Sequence, residues 1–284
     1  MISRDATIAA STAFLFGGVS WLYQQQLRHI KKKEKSLSNT SDDSISDLPS
    51  ISIASIEDSS GSDSDSHDLS VLPCIRNRRS IFPSGFLQNP PPLDDAIIQS
   101  LLDAAIWGPF HGKCFAGCKH PAKFVVLGKQ SMVEMQHMTL EYYDKNWKEV
   151  GWGDGKVGGT QEEYDTWRKM THDEITGRWG PCSHMIAIVM RRQSGPKRLP
   201  EWEEAAAVAA ATQNMHLQST KFPQLACYWS SWHAAARDSK EMKEFLGMGE
   251  EDKCLGFFIV AQAKRMSKDR RVRDKSLLEV EWRK

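Results

Sequence analysis

Cysteine is sparse in this sequence. Six cysteines, Cys74, Cys114, Cys118, Cys182, Cys227 and Cys254, are scattered over 284 residues. They are too few and too dispersed for the disulfide framework of a small secreted domain, which points to a reducing compartment. Net charge is nearly absent as well. A value of +1 at pH 7, with charged residues at 26%, excludes both a polybasic nucleic-acid binder and a strongly acidic protein, so no nucleic-acid partner is expected. No internal repeat is visible.

Long apolar runs are also lacking, with one exception. Ile8 to Tyr23 is flanked by Arg4 on one side and by Arg28, His29, Lys31, Lys32, Lys33 and Lys35 on the other. Its length sits at the short edge of what spans a bilayer, about 17–25 residues. The heavier positive flank follows the run, the arrangement that keeps the downstream chain on the cytoplasmic side. A cleaved secretory signal would carry its charge before the run and a small-residue site after it, whereas Gln24 to Gln26 lead straight into basic residues. Residues 1–35 are therefore read as a membrane anchor with the rest of the chain facing the cytoplasm. The alternatives are an organelle-targeting peptide, for a mitochondrion or plastid, and a merely hydrophobic tail.

Residues 36–70 lack aromatics and are dominated by Ser and Asp, as in SDDSISD and SSGSDSDSHD. Such a composition buries too little apolar surface to offset chain entropy, so a disordered linker is expected. A solvated spacer and a phosphorylation-regulated acidic tail are both open readings. Residues 71–284 remain as one domain, large enough to build a core unaided.

Within that domain Leu93 to Trp107 carries apolar residues at helical spacing, with Asp94 and Asp95 in the first turn, where the helix dipole favours them. Lys123 to Gly128, His184 to Met190 and Gly256 to Ala261 are short, near-continuously apolar runs, the pattern of strands covered on both faces. Glu201 to Ser219 reads as a long Ala-rich helix, and Lys240 to Leu246 as a short one ended by Gly247. Helices between buried strands give an α+β or α/β domain with a covered sheet.

Four groups of residues invite a chemical reading. Arg76, Arg78, Arg79 and Ser80 supply guanidinium forks and a hydroxyl suited to a phosphate, or form a solvated basic turn. Lys264, Arg265, Lys268, Arg270, Arg271 and Arg273 offer a second basic cluster. His111, Cys114, Cys118 and His120 are four potential zinc ligands, but their spacing matches no usual paired-ligand hairpin. The Gly112-Lys113 turn better suits backbone amides approaching an anion or a ring system. The Gly-rich residues 151–159 have no preceding strand and no helix starting inside them, so they read as a surface loop rather than a phosphate loop. Ten tryptophans are read mostly as core or interface anchors, with one or two available to stack on a planar ligand.

Taken in order, these segments resemble the nitroreductase family of flavin enzymes, in its compact bacterial-type branch. The resemblance spans about residues 74–284. Arg78-Arg79-Ser80 resembles the family's Arg-Arg-Ser block, and AAIWGPFHGK its helix ending in Ala-Pro before a His-Gly or His-Lys turn. Pro121 to Val126 resembles its Pro-Trp-(Arg or His)-Phe strand, and PEWEEAAAVAAATQNMHLQ its Ala-rich central helix. QLACYWSSW, residues 224–232, sits where the family has a small-residue turn laid against the flavin. The sequence departs from the pattern at Gly108, Ala122, Lys123, Ala226 and Cys227, and carries a longer loop between Lys113 and Pro121.

The resemblance implies an α+β fold, a three-layer α/β/α sandwich around a mostly antiparallel sheet, assembled as a homodimer. It implies FMN as cofactor, NADH or NADPH as electron donor, and a nitroaromatic, quinone or related small-molecule acceptor. Arg78, Arg79, Ser80, Arg271 and Arg273 would hold the phosphate and ribityl end. His111, Gly112, Lys113, Ala226, Cys227 and Tyr228 would line the ring, and Asn214 would add a polar contact. No side chain is marked as nucleophile or general base. The alternatives are a catalytically altered member of the fold, serving as a membrane-tethered scaffold or ligand-binding module, and a zinc-binding regulatory protein.

Overall fold

The computed structural model describes residues 71–110, 119–152, 157–173, 175, 180–195, 198–265 and 278–283. Four strands pair into one sheet, β1 (Ala122–Leu127), β2 (His184–Met190), β3 (Leu225–Ser230) and β4 (Lys253–Gln262), in the order β1-β2-β4-β3 with every pairing antiparallel. The helices in chain order are α1 (Pro73–Asn77), α2 (Asp95–Ala105), α3 (Lys129–Val150), α4 (Gln161–Asp173), α5 (Glu201–Gln218), α6 (Ala234–Arg237) and α7 (Lys240–Phe245).

Side-chain alternation along the strands builds two cores from one sheet. Met185, Ala187 and Val189 of β2 pack with Met132, Met135 and Leu140 of α3 and with Met242 of α7. Ile186, Ile188 and Met190 point the other way, onto Ile98 and Leu101 of α2 and Val208, Ala211 and Met215 of α5. An unbroken apolar run is what a strand needs when both faces are covered, and each such side chain contributes about 1.5–3 kcal/mol on burial. The result is the α/β/α sandwich expected from the sequence.

Local chemistry sets the ends of the elements. The Asp94 carboxylate accepts the Ala96 backbone N–H at 2.9 Å and starts α2 two residues later than the apolar pattern alone suggests. The Ser239 hydroxyl does the same for Met242 at 3.1 Å and starts α7. Strand β4 runs back to Lys253, beyond the expected start at Gly256. Its register with β2 shifts between Ala187 and Val189, beside Gly256. Gly256 has φ +120°, and a Cβ there would lie 2.2 Å from the Ser230 carbonyl oxygen. Only glycine permits that backbone and that approach.

Five elements were not expected, among them the short helices α1 and α6. QLACYWSSW is not a small-residue turn: Leu225–Ser230 form edge strand β3, paired to β4 from Leu225↔Gln262 to Ser230↔Phe257. Helices α3 and α4 also lie where no helix was assigned. Helix α4 packs on α3 through rings rather than on the sheet. Trp147 stacks on Tyr164 at 4.7 Å, and Trp167 meets Tyr143 edge-on at 5.1 Å. The Tyr164 hydroxyl donates to Asp144 at 2.8 Å, and Arg168 donates to both oxygens of that carboxylate at 2.8 and 2.9 Å.

No helix among the described residues is long and apolar enough to cross a membrane. The run Ile8 to Tyr23 and the Ser/Asp-rich stretch lie outside the described residues.

Candidate functional site

The arginine pair leaves the end of α1, where the Arg78 backbone N–H donates to the Cys74 carbonyl at 3.1 Å. The chain then runs beside the sheet edge, and the Ile81 N–H donates to the Cys227 carbonyl of β3 at 3.1 Å. Arg78 and Arg79 are half-buried and Ser80 is exposed. Between these two anchor points the segment meets the last turn of α5. The His216 ring bonds through Nε2 to the Arg79 carbonyl at 2.8 Å, and its Nδ1 lies 3.4 Å from Nη1 of Arg78.

His216 is only 6% exposed. Burial pushes its pKa down to about 4, and the neighbouring Arg78 charge adds to the effect, while hydrogen bonds with the Arg79 and Cys227 backbones oppose it. The ring is therefore neutral at physiological pH. With Nε2–H donating to a carbonyl, Nδ1 is left as an acceptor facing a guanidinium donor.

Asn214 faces a cleft of about 570 Å³ at the same end of α5, together with Asn77, Ala104, Trp107, Gln218 and Lys221. The structure thus gathers Arg78, Arg79 and Asn214 at one end of one helix. Cleft polarity comes from the amides of Asn77, Asn214 and Gln218, the Thr220 hydroxyl and the Lys221 ammonium, and Trp107 supplies a flat aromatic wall that is 84% exposed.

The β3 residues are arranged differently from the sequence reading. Ala226, Cys227 and Tyr228 are 0%, 2% and 6% exposed. Ala226 and Tyr228 face the α3 layer and Cys227 the α5 layer, so the three side chains do not share a surface. Strand alternation makes this unavoidable once the segment is a strand rather than a turn. Burial pushes the Cys227 thiol up to about 12, which leaves it protonated. His111, Gly112, Lys113, Cys114, Cys118, Arg271 and Arg273 lie outside the described residues. His120, the fourth member of the candidate zinc set, accepts the Ala122 N–H through Nδ1 at 3.0 Å and lies tilted at 57° to the Phe110 ring, 5.4 Å away.

Two of the departures from the family pattern have local causes. A Cβ on Gly108 would lie 2.8 Å from the Ala211 Cβ and 2.9 Å from its Cα, so the chain leaving α2 presses directly on α5. Lys123 donates to the Leu246 carbonyl at 3.0 Å and to the Gly247 carbonyl, closing the C-terminal end of α7.

Sequence reasoning missed His216 and Trp232. His216 falls on the buried face of α5 marked by Val208, Ala211, Thr212 and Met215, so its position in the periodic stripe was an available signal. Trp232 follows β3 with φ 56°, an uncommon backbone for a bulky residue. Its indole N–H donates to the Thr139 hydroxyl of α3 at 2.9 Å, and its ring packs edge-on to Phe257 at 5.8 Å.

The comparisons agree with this architecture. The family model described as the nitroreductase family matches residues 75–262. A solved nitroreductase with bound FMN from Bacteroides fragilis NCTC 9343 is 17% identical, with 73% of this chain and 97% of that chain covered at a TM-score of 0.50. A variant of an FMN- and NADPH-dependent nitroreductase from Sphigopyxis sp. strain HMH is 16% identical, with 74% and 96% covered at a TM-score of 0.51. No curated protein matches the chain. The match to the family model extends over most of the domain and contains the arginine pair, α5 and the whole sheet: the chain belongs to the nitroreductase family.

Proposed function

We propose that this chain is an FMN-dependent oxidoreductase that takes electrons from NADH or NADPH and reduces a nitroaromatic, quinone or related small molecule. The observation that carries this reading is the contact of the Arg78-Arg79 pair with His216 in the last turn of α5, inside the span of the family match.

The residues present fit the group. A phosphate needs charged, forked donors, and two consecutive arginines supply them from a segment fixed at both ends. A planar, partly polar ring system suits a cleft of about 570 Å³ that combines an aromatic wall with amide donors and acceptors. Arg78, Arg79 and Ser80 would hold the phosphate end, Asn214 and Asn77 would offer hydrogen bonds, and Trp107 would present a flat face. When bound, FMN supplies the redox chemistry of hydride uptake and electron delivery. The role of the protein is to bind, orient and partly desolvate, and this reading requires no nucleophilic side chain.

Two further features complete the proposal. Ile106, Trp107 and Trp202 are 75%, 84% and 70% exposed beside or on the layer of α2 and α5. Burial of such a surface between two copies supports a homodimer. The run Ile8 to Tyr23 with its basic flank supports attachment to a membrane with the domain on the cytoplasmic side.

The test is direct. The purified chain should be yellow or become so with added FMN, should sediment as a dimer, and should oxidise NADH or NADPH when a quinone or nitroaromatic is supplied. A colourless protein that takes up no FMN overturns the reading. FMN binding without NAD(P)H oxidation would instead favour the scaffold role.

A further inference from the structure

We infer that His216 is a positioning residue for anion binding, holding Arg78 and Arg79 at the end of α5 in the arrangement that grips the terminal phosphate of the cofactor. The inference rests on the FMN reading above and adds to it a residue that the family resemblance does not supply.

A histidine on the buried face of an apolar helix is most often a satisfied core residue. Here the manner of its satisfaction is what matters. Both ring nitrogens reach a segment 137 and 138 residues away in sequence, the Arg79 carbonyl at 2.8 Å and the Arg78 guanidinium at 3.4 Å, and the Cys227 backbone of β3 is a further partner. The ring plane is held by Phe258, edge-on at 5.4 Å. One nitrogen therefore locks the main chain of Arg79, and the other sets the direction of the Arg78 side chain.

The protonation state fits the role. A cationic ring has no lone pair to accept from Arg78 and would repel it, whereas the neutral tautomer with its proton on Nε2 does both jobs at once. Arginine carries several rotatable bonds, and ordering it only upon binding weakens affinity. A side chain that orders it beforehand strengthens binding without touching the ligand. The next residue but one after Arg79, Ile81, is tied to β3 through its backbone, and α1 fixes the preceding residues. His216 is the hold between those two points.

The consequence is selective for phosphate. Riboflavin has the ring and ribityl chain of FMN but no phosphate, so a residue that acts through the arginine pair should affect FMN alone. The test uses the full-length chain stripped of flavin and titrated separately with FMN and riboflavin, following quenching of flavin fluorescence. His216→Leu fills similar space but removes both hydrogen bonds. It should bind FMN about tenfold more weakly while riboflavin affinity stays at the wild-type value. His216→Gln, whose amide can donate to the Arg79 carbonyl and accept from Arg78, should recover most of the loss. If His216→Leu does not fold, His216→Asn, too short to reach the Arg79 carbonyl, should show the same FMN-selective loss.

Equal weakening of both flavins would mean a purely structural residue and would overturn the inference, as would FMN affinity unchanged by the substitution. A wild-type chain that binds neither flavin overturns the cofactor reading itself, and this inference with it.

Discussion

Gly108 and Ala211 are in contact with no space for a methyl group between them: a Cβ on Gly108 would come within 2.8 Å of the Ala211 side chain and 3.0 Å of its backbone nitrogen. The resemblance leads one to expect alanine at this position, and the packing of α2 on α5 in this chain leaves no room for one. Gly108→Ala should therefore destabilise rather than restore. Overpacking against a helix backbone costs about 1–3 kcal/mol. Urea denaturation of the two proteins measures it, and equal midpoints would show that the end of α2 moves aside.

The buried ion pair between Arg192 and Glu204 ties the end of β2 to the first turn of α5, with side chains 8% and 0% exposed. The Gln193 backbone N–H also donates to Glu204, at 3.3 Å. Removing one partner leaves a desolvated charge. Glu204→Leu should lower stability by about 3–5 kcal/mol, and the double variant Arg192→Met with Glu204→Leu should regain much of that loss. The comparison of the single and double variants by denaturant unfolding distinguishes the penalty of an orphaned charge from lost packing.

Acid should weaken the fold in a defined window. His216 and His233 are each held neutral by burial, with pKa values near 4, against an ordinary value of 6.5. Between pH 6.5 and about 4 the unfolded chain binds protons that the native chain refuses, so stability falls as pH falls and levels off below about 4. For His216 alone the full effect is about 3 kcal/mol. His216→Gln should flatten that part of the profile, and an unchanged slope in the variant would assign the loss to other groups.

Thr139 is 0% exposed, and its hydroxyl accepts the indole N–H of Trp232 at 2.9 Å while donating to the Met135 carbonyl at 2.9 Å. Thr139→Val keeps the shape but leaves the indole donor without this partner. A loss of about 1–3 kcal/mol is expected. Because Trp232 also carries a left-handed backbone, loosening its side chain should be visible as a red-shifted, broadened tryptophan emission.

Cys182, Cys227 and Cys254 are buried, and desolvation pushes their thiols up to about 12, 12 and 11. Thiolates are therefore scarce at neutral pH. Alkylation of the native protein with iodoacetamide followed by peptide mapping should leave all three unmodified, and they should label fully in denaturant. Rapid native labelling at Cys227 would mean that β3 opens.

The elements legible in the sequence were those with one uninterrupted signal. β2 and β4 announce themselves as apolar runs because both faces are covered, β1 shows the same run although Val126 is 40% exposed and only Leu127 is buried, and α2, α5 and α7 show through their helix signals. The stripe of α3 was hidden because the polar residues Gln136 and Thr139 sit buried in it, Thr139 accepting the indole N–H of Trp232, a partner that only the fold reveals. Strand β3 was hidden because Ala226 and Cys227 are small in place of the β-branched residues that mark a strand, and because the resemblance suggested a turn there. At the candidate site, arginine chemistry together with the family resemblance pointed to Arg78 and Arg79, and the resemblance brought in Asn214. What could not be read is the pairing of His216 with residues at the opposite end of the domain, since side-chain partners so distant in the chain leave no local trace.

The separate aromatic cluster on which α4 rests, Tyr143, Trp147, Tyr164 and Ala236, contains no residue of the sheet. No residue of α4 itself belongs to the two main cores, although Ile175 just beyond its end is buried in one of them. Amide exchange in α4 should therefore proceed through a partial opening, at lower free energy than exchange from β2 or β4, which requires the whole sandwich to come apart. The helix can thus open as a unit while the sheet and the end of α5 that meets Arg78 and Arg79 stay folded.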